Sequence, residues 1–231
     1  MAVRKYWTWA QIKNKVKADL DLEGEVFIRP DELLGYANEA IDEAEAEIHT
    51  LYEDYFMARK TLTIVPGQEE YALPFDIYAQ KIRRIVYNDG SSVYTVFRLK
   101  DWKKFESYNI AKNFATSDLY QWFFLNQVAG EPRILLVPQG RDSGPYLSVW
   151  YLRQANRLEE DADICDIPEF YNFIFQYIKV KVYEKEGHPN MGKAEMDLEK
   201  QRSLMNATLA QIAPDAHNEI ELDISFYEEM N

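Results

Sequence analysis

Between Arg29 and Phe56 an apolar residue recurs at alternating steps of three and four: Leu34, Ala37, Ile41, Ala44, Ile48, Leu51 and Tyr55. A strand has no use for that spacing, but a helix places all of these on one face. The seven-residue period also suits a seam against a second helix. Pro30 fits a first helical turn, and Asp31 and Glu32 put negative charge at the positive end of the helix dipole. At about 1.5 Å per residue the element is a rod of roughly 40 Å. No Lys or Arg lies between Arg29 and Arg59, but nine acids do: 31, 32, 39, 42, 43, 45, 47, 53 and 54. The acid-bearing side is either a solvated face or a surface that meets another subunit or lines a space.

The charge of this stretch colours the whole chain. With 26 basic against 39 acidic residues the net charge is −13, which argues against tight binding to a phosphate backbone. A single cysteine, Cys165, excludes an internal disulfide and a thiolate metal cluster. No apolar run approaches the roughly 18 residues of a membrane span, and Met1 to Lys17 lacks the apolar core of a signal peptide. These features predict a soluble protein, made in a reducing compartment, with no membrane partner.

Other elements follow from local pattern. Residues 6–20 read as a first, basic helix with Trp7, Ala10, Ile12, Val16 and Leu20 broadly on one side. After Phe56 the period changes to two, and strands are expected at 61–65, 82–88, 92–99, 119–126, 133–137 and 146–153, separated by turn signals such as Pro66-Gly67 and Asp89-Gly90. Tyr71-Ala72-Leu73-Pro74 is extended. A short helix is expected from Asp101 to about Lys112. Asp166 is placed to cap a helix over 169–185 whose apolar residues lie on nearly every side, so it should be buried on nearly every side. Gly187 and Pro189 stop it. A last helix covers Met191 to Ile212, with Pro214 ending it.

The fold class expected is α+β. N- and C-terminal helices (1–56 and 163–213) form a bundle, 57–162 is an inserted antiparallel β-sheet or small β-sandwich, and 214–231 is an extended C-terminal arm. In that arm Ile220, Leu222, Ile224 and Phe226 alternate with Glu221, Asp223 and Ser225, and no Lys or Arg follows Arg202. The alternation suits strand addition to a neighbour's sheet edge, which makes these four residues the candidate partner-binding set.

A reactive centre is not expected. His49, His188 and His217 stand far apart, and each is most simply a surface residue. Phosphate-binding glycine loops, metalloprotease pairs and nucleophile elbows are absent. Glu39, Glu43 and Glu47 are spaced by one helical turn, which in principle holds a hard cation but more simply makes a solvated face. Cys165 sits before an apparent helix start, where a dipole can lower a thiol pKa, although a small structural residue is the simpler reading. The chain is read as no enzyme and as using no cofactor. From Lys81 to Lys112, basic residues 81, 83, 84, 98, 100, 103, 104 and 112 interleave with Tyr87, Tyr94, Phe97, Trp102, Phe105 and Tyr108. This is the look of a single-strand nucleic-acid surface, or of an ordinary sheet and helix with charged outer faces. The net charge favours the second.

Several short stretches together carry a resemblance. Asn38-Glu39-Ala40-Ile41 lies inside the acidic helix, Tyr71-Ala72-Leu73-Pro74-Phe75-Asp76 follows, and Ile134-Leu135-Leu136-Val137-Pro138 closes a hairpin. Asp166-Ile167-Pro168-Glu169-Phe170-Tyr171 then leads into Tyr183-Glu184-Lys185-Glu186-Gly187. Over residues 6–212 this order resembles the head–tail connector (adaptor) proteins of tailed bacteriophages. The resemblance implies a virion protein at the head–tail junction, made in the host cytoplasm. It would form a homo-oligomeric ring, commonly of twelve copies, joining the portal protein to tail or nozzle proteins, with genomic DNA passing through without tight binding. The alternatives are a nucleic-acid-binding accessory protein using the 81–112 region, and a hydrolase assembled from scattered carboxylates.

Overall fold

The computed structural model describes residues 6–22, 27–99, 120–125, 131–140 and 143–216. They form two compact units, one from the residues up to Tyr55 together with those from Ala155 onward, the other Phe56–Gln154.

The first unit holds four helices among the described residues: α1 (Trp9–Asp19), α2 (Pro30–Leu51), α3 (Tyr171–Glu186) and α4 (Met191–Ala216). Helix α1 opens on a capping box. The Thr8 side-chain oxygen accepts the Gln11 N–H at 3.3 Å, and Gln11 Oε1 accepts the Thr8 N–H at 3.0 Å. Two more first-turn donors, the N–H groups of Trp9 and Ala10, go to the carbonyls of Asp163 and Asp161. At α2 the Glu32 carboxylate accepts the Arg29 N–H at 3.0 Å and the Lys185 ammonium at 2.8 Å. The Lys185 bond first, and the backbone bond second, hold that carboxyl below its ordinary value.

The buried side of α2 is Leu33, Ala37, Ala40, Ile41, Ala44 and Ile48. It is wider than the expected stripe and shifted at both ends. Leu34 is half-buried, Leu51 is exposed, and Tyr55 lies beyond the helix in a short 3-10 turn, Glu53–Phe56. The many alanines let α3 and α4 approach closely. Helix α3 packs against α1, α2 and α4 and buries Phe173, Ile174, Phe175, Ile178 and Val182. Each such side chain contributes about 1.5–3 kcal/mol on removal from water. Gly187 ends α3 in the left-handed region at φ 67°, and the His188 N–H donates to the Tyr183 carbonyl at 3.0 Å. The last helix does not stop at Pro214 as expected but runs on to Ala216. A proline forfeits its own bond to the carbonyl four residues back and leaves its neighbours' bonds available.

The second unit departs from expectation most. Its strands are β1 (Met57–Thr63), β2 (Glu70–Ala72), β3 (Ile77–Asn88), β4 (Val93–Arg98), β5 (Gln121–Leu125), β6 (Arg133–Val137) and β7 (Tyr146–Arg153). They make one seven-stranded sheet in the order β1-β7-β3-β4-β5-β6-β2, curled into a half-barrel. The chain is therefore not a helical bundle carrying a small antiparallel insertion or sandwich. The sheet is mixed, because β4 and β5 run parallel, with Phe97 opposite Gln121 and Arg98 opposite Trp122. A hairpin turn reverses direction in a few residues, whereas the connection over 99–120 is long enough for the crossover that a parallel pair requires. The expected short helix at 101–112 lies outside the described residues.

Curling comes from β3. Its pairing with β7 shifts between Ile77 and Ile82, where Ala79 and Gln80 take positive φ values of 46° and 58°, and shifts again before Arg84. Such bulges bend a strand and raise its twist. The concave side gathers a core of its own, including Tyr71, Ile85, Tyr87, Trp122, Phe124, Ile134, Leu136, Leu147 and Val149. At one end the exit of β6 is tied to the turn after β1. Gly67 N–H donates to the Gly140 carbonyl at 2.8 Å, Gly140 N–H donates to Gln68 at 3.0 Å, and the Tyr71 hydroxyl accepts the Val65 N–H at 3.1 Å.

Candidate assembly surfaces

Helix α2 presents its acids to bases within its own unit. Asp42 pairs with Arg157, Glu43 and Glu47 both pair with Arg202, and Glu32 pairs with Lys185. The Glu43–Glu47 spacing that in principle suits a hard cation thus holds a guanidinium instead. Arg202 also lies over the Phe173 ring at 5.9 Å and pairs with Glu199 at 3.3 Å. Burial is the main cause that lifts the Glu47 carboxyl above its ordinary value, and Arg202 opposes it. His49, expected at the surface, is buried, with Nε2 3.6 Å from Glu45 Oε1. His188 stacks on Tyr183 at 4.1 Å, and His217 lies outside the described residues.

Cys165 is fully buried, and burial pushes its thiol up to about 11. The structural reading holds and the activated-thiol reading does not. Asp166 does not cap the following helix. Its carboxylate accepts the Asn156 N–H at 2.7 Å, while Pro168–Phe170 form a 3-10 turn ahead of α3. Among the described residues no group of three or more His, Cys, Asp or Glu is placed to hold a metal ion, and no helix is long and apolar enough to cross a membrane.

The basic region divides. Lys81, Arg83 and Arg84 on β3 and Arg98 on β4 are exposed, whereas residues 100–112 lie outside the described residues, with Trp102, Phe105 and Tyr108. Tyr87 is turned to the core, its ring 4.7 Å from that of Tyr94, and its hydroxyl is pushed up to about 12 chiefly by burial. A base has no access to it. Phe97, 69% exposed beside Arg98, is the one described aromatic of that set that faces outward.

The stretches that carried the resemblance turn out to be joints. Asn38 grips Leu158 on both sides: its amide donates to the Leu158 carbonyl at 2.9 Å and its Oδ1 accepts the Leu158 N–H at 2.9 Å. Leu73 N–H donates to the Pro132 carbonyl at 2.8 Å, and the Asp76 carboxylate accepts the Tyr151 hydroxyl at 3.2 Å. Glu169 accepts the Tyr55 hydroxyl at 2.8 Å, and Tyr171 stacks on Trp7 at 4.2 Å. Sequence spacing gave no hint of the partners, because each joint links segments far apart in the chain.

What remains for contact with other molecules is surface. Phe75, Val93, Phe97, Met196 and Leu204 are exposed apolar side chains. A cleft of about 200 Å³ opens between Phe170 and Phe173 on one side and Leu204, Met205 and Thr208 on the other. The ends of the sheet, β1 and β2, have strand neighbours on one side only among the described residues. The four arm residues Ile220, Leu222, Ile224 and Phe226 lie outside the described residues. A family model for the SU10 adaptor protein matches residues 7–220, and the chain belongs to that family of phage adaptors. No curated protein matches the chain.

Proposed function

We propose that this chain is a structural component of a phage particle that assembles as a ring, on the order of twelve copies, between the portal protein and the tail or nozzle proteins, with genomic DNA passing through the ring. The observation that carries the reading is membership of an adaptor family over nearly the whole chain. Two physical features support it. A net charge of −13 keeps affinity for the passing phosphate backbone low. The joints around Asn38, Tyr71 and Glu169 spend polar side chains on fixing the chain's own segments rather than on chemistry. We assign partner binding to the segment after α4, through Ile220, Leu222, Ile224 and Phe226. The test is depletion of this chain during particle assembly. Filled heads that carry portal but no tail proteins are expected, and complete infectious particles would refute the role.

A further inference from the structure

We infer that β1 is a receiving edge, which accepts the acidic segment 219–226 of a second copy of this chain as an added strand. The inference rests on the ring reading above and names the contact through which neighbouring copies hold one another.

The backbone phase of β1 comes first. It pairs with β7 from Met57 opposite Leu152 to Thr63 opposite Tyr146, and just beyond, the Ile64 N–H donates to the Pro145 carbonyl at 2.9 Å. In an antiparallel pair, residues alternate in turning both backbone groups toward or away from the partner. Ile64, Leu62, Lys60 and Ala58 thus face β7, while Met57, Arg59, Thr61 and Thr63 turn N–H and C=O to the open side. Among the described residues no strand takes them up. Seven residues at about 3.3 Å each span roughly 23 Å, enough for an added strand of the length of 220–226.

The faces then match. On the core side of β1, Ala58 and Leu62 are only partly buried against the sheet core, and the exposed Lys60 stands between them. On the other side Arg59 is held over the Trp150 ring at 5.5 Å. The segment after α4 carries Ile220, Leu222, Ile224 and Phe226 at one parity and Glu219, Glu221, Asp223 and Ser225 at the other. Added to β1, its apolar set covers Ala58 and Leu62, and its acids lie beside Arg59. A slip of one residue would put the acids against the core, so the parity is fixed.

Charge selects among the possible pairings. The other edge, β2, is only three residues long, too short to hold a strand of seven, and has no basic residue of its own to draw an acidic one. Two β1 edges from different copies would set Arg59 and Lys60 against their like. Basic residues on an edge strand are a known guard against unwanted pairing; here they exclude another β1 and admit the acidic segment.

The test mixes two full-length populations. One carries Thr61→Cys; the other carries Glu221→Cys, Leu222→Cys or Asp223→Cys in turn. Cys165 is buried and stays out of the exchange. Mild oxidation should link Thr61→Cys to the 221 and 223 variants roughly tenfold more than to the 222 variant, because opposed residues of one parity share a face. Reversing charge with Arg59→Glu should lower the yield roughly tenfold, and Glu219→Lys with Asp223→Lys in the Glu221→Cys partner should restore it. Equal linking at 221, 222 and 223, a link formed only within one chain, or charge reversal without effect would overturn the inference. Light scattering on the unmodified protein separates the two failures. Ring-sized particles without these links leave the ring and remove this contact, whereas no assembly even with the portal protein removes both.

Discussion

Gly140 and Gly35 should respond to the same substitution with opposite signs. Neither has a positive φ, so backbone strain plays no part and only the added methyl group counts. At Gly140 a Cβ would stand 2.4 Å from the Val65 carbonyl oxygen, 2.8 Å from Ile64 Cγ2 and 3.0 Å from the Tyr71 hydroxyl. Two of these neighbours cannot rotate away. The first is backbone, and Ile64 is itself buried and committed to Pro145. Relief requires β6 to withdraw from the turn, at the expense of the Gly140–Gln68 and Gly67–Gly140 bonds of 3.0 and 2.8 Å. Overpacking costs about 1–3 kcal/mol and each lost backbone bond about 1 kcal/mol, so Gly140→Ala should destabilise the sheet unit by about 3–5 kcal/mol. Gly35 lies on the exposed side of α2 with nothing within 4 Å of a new Cβ. There Gly35→Ala gains about 1 kcal/mol of helix propensity. Hydrogen exchange read separately for β6 and α2 amides measures both. Protection that falls at β6 in the first variant and rises at α2 in the second is expected. Unchanged protection at β6 would refute the close approach on which the magnitude rests.

Asn38→Leu should cost about 2 kcal/mol in chemical denaturation and speed exchange at the Leu158 amide, because that buried residue loses both partners at once. Arg202→Met should cost about 1–3 kcal/mol in native sequence and clearly less when Glu43 and Glu47 are already Gln, since it otherwise strands two half-buried carboxylates. The Glu47 carboxyl is raised in the folded state, so the folded chain holds that proton more tightly than the unfolded one. Its ionisation penalty is absent below the ordinary glutamate range and grows as pH rises through the folded value. Glu47→Gln should accordingly gain on the native chain as pH rises through that window, which denaturation curves at a series of pH values will read. Fluorescence anisotropy with duplex DNA at about 0.15 M salt should find no binding as tight as micromolar, as expected of a chain with a net charge of −13.

Periodicity made the helices legible, and α2 best of all, because a stripe of alanines and branched residues over five turns has no other use. Local turn chemistry located most of the strands. It failed where the fold depends on residues far apart. Glu70–Ala72 looks merely extended until β6 is beside it, and nothing near Phe97 announces a parallel partner at Gln121. The curl of the sheet is equally remote from sequence, since Ala79 and Gln80 are not residues that advertise positive φ. Acid counting along α2 misjudged its surface for the same reason. Arg157, Lys185 and Arg202 pair with four of its seven acids from more than a hundred residues away in the chain. The short stretches that carried the resemblance were visible as letters, but their work as joints was visible only once Asn38 met Leu158 and Asp76 met Tyr151.

The central claim is that copies of this chain build a ring on a portal, and mass measurement by light scattering on a mixture with the portal protein tests it most directly. A single complex carrying on the order of twelve copies per portal ring is the predicted result, with the free chain at lower mass or in rings of the same size. A chain that stays monomeric beside an intact portal ring, at concentrations well above those of assembly reactions, would contradict it.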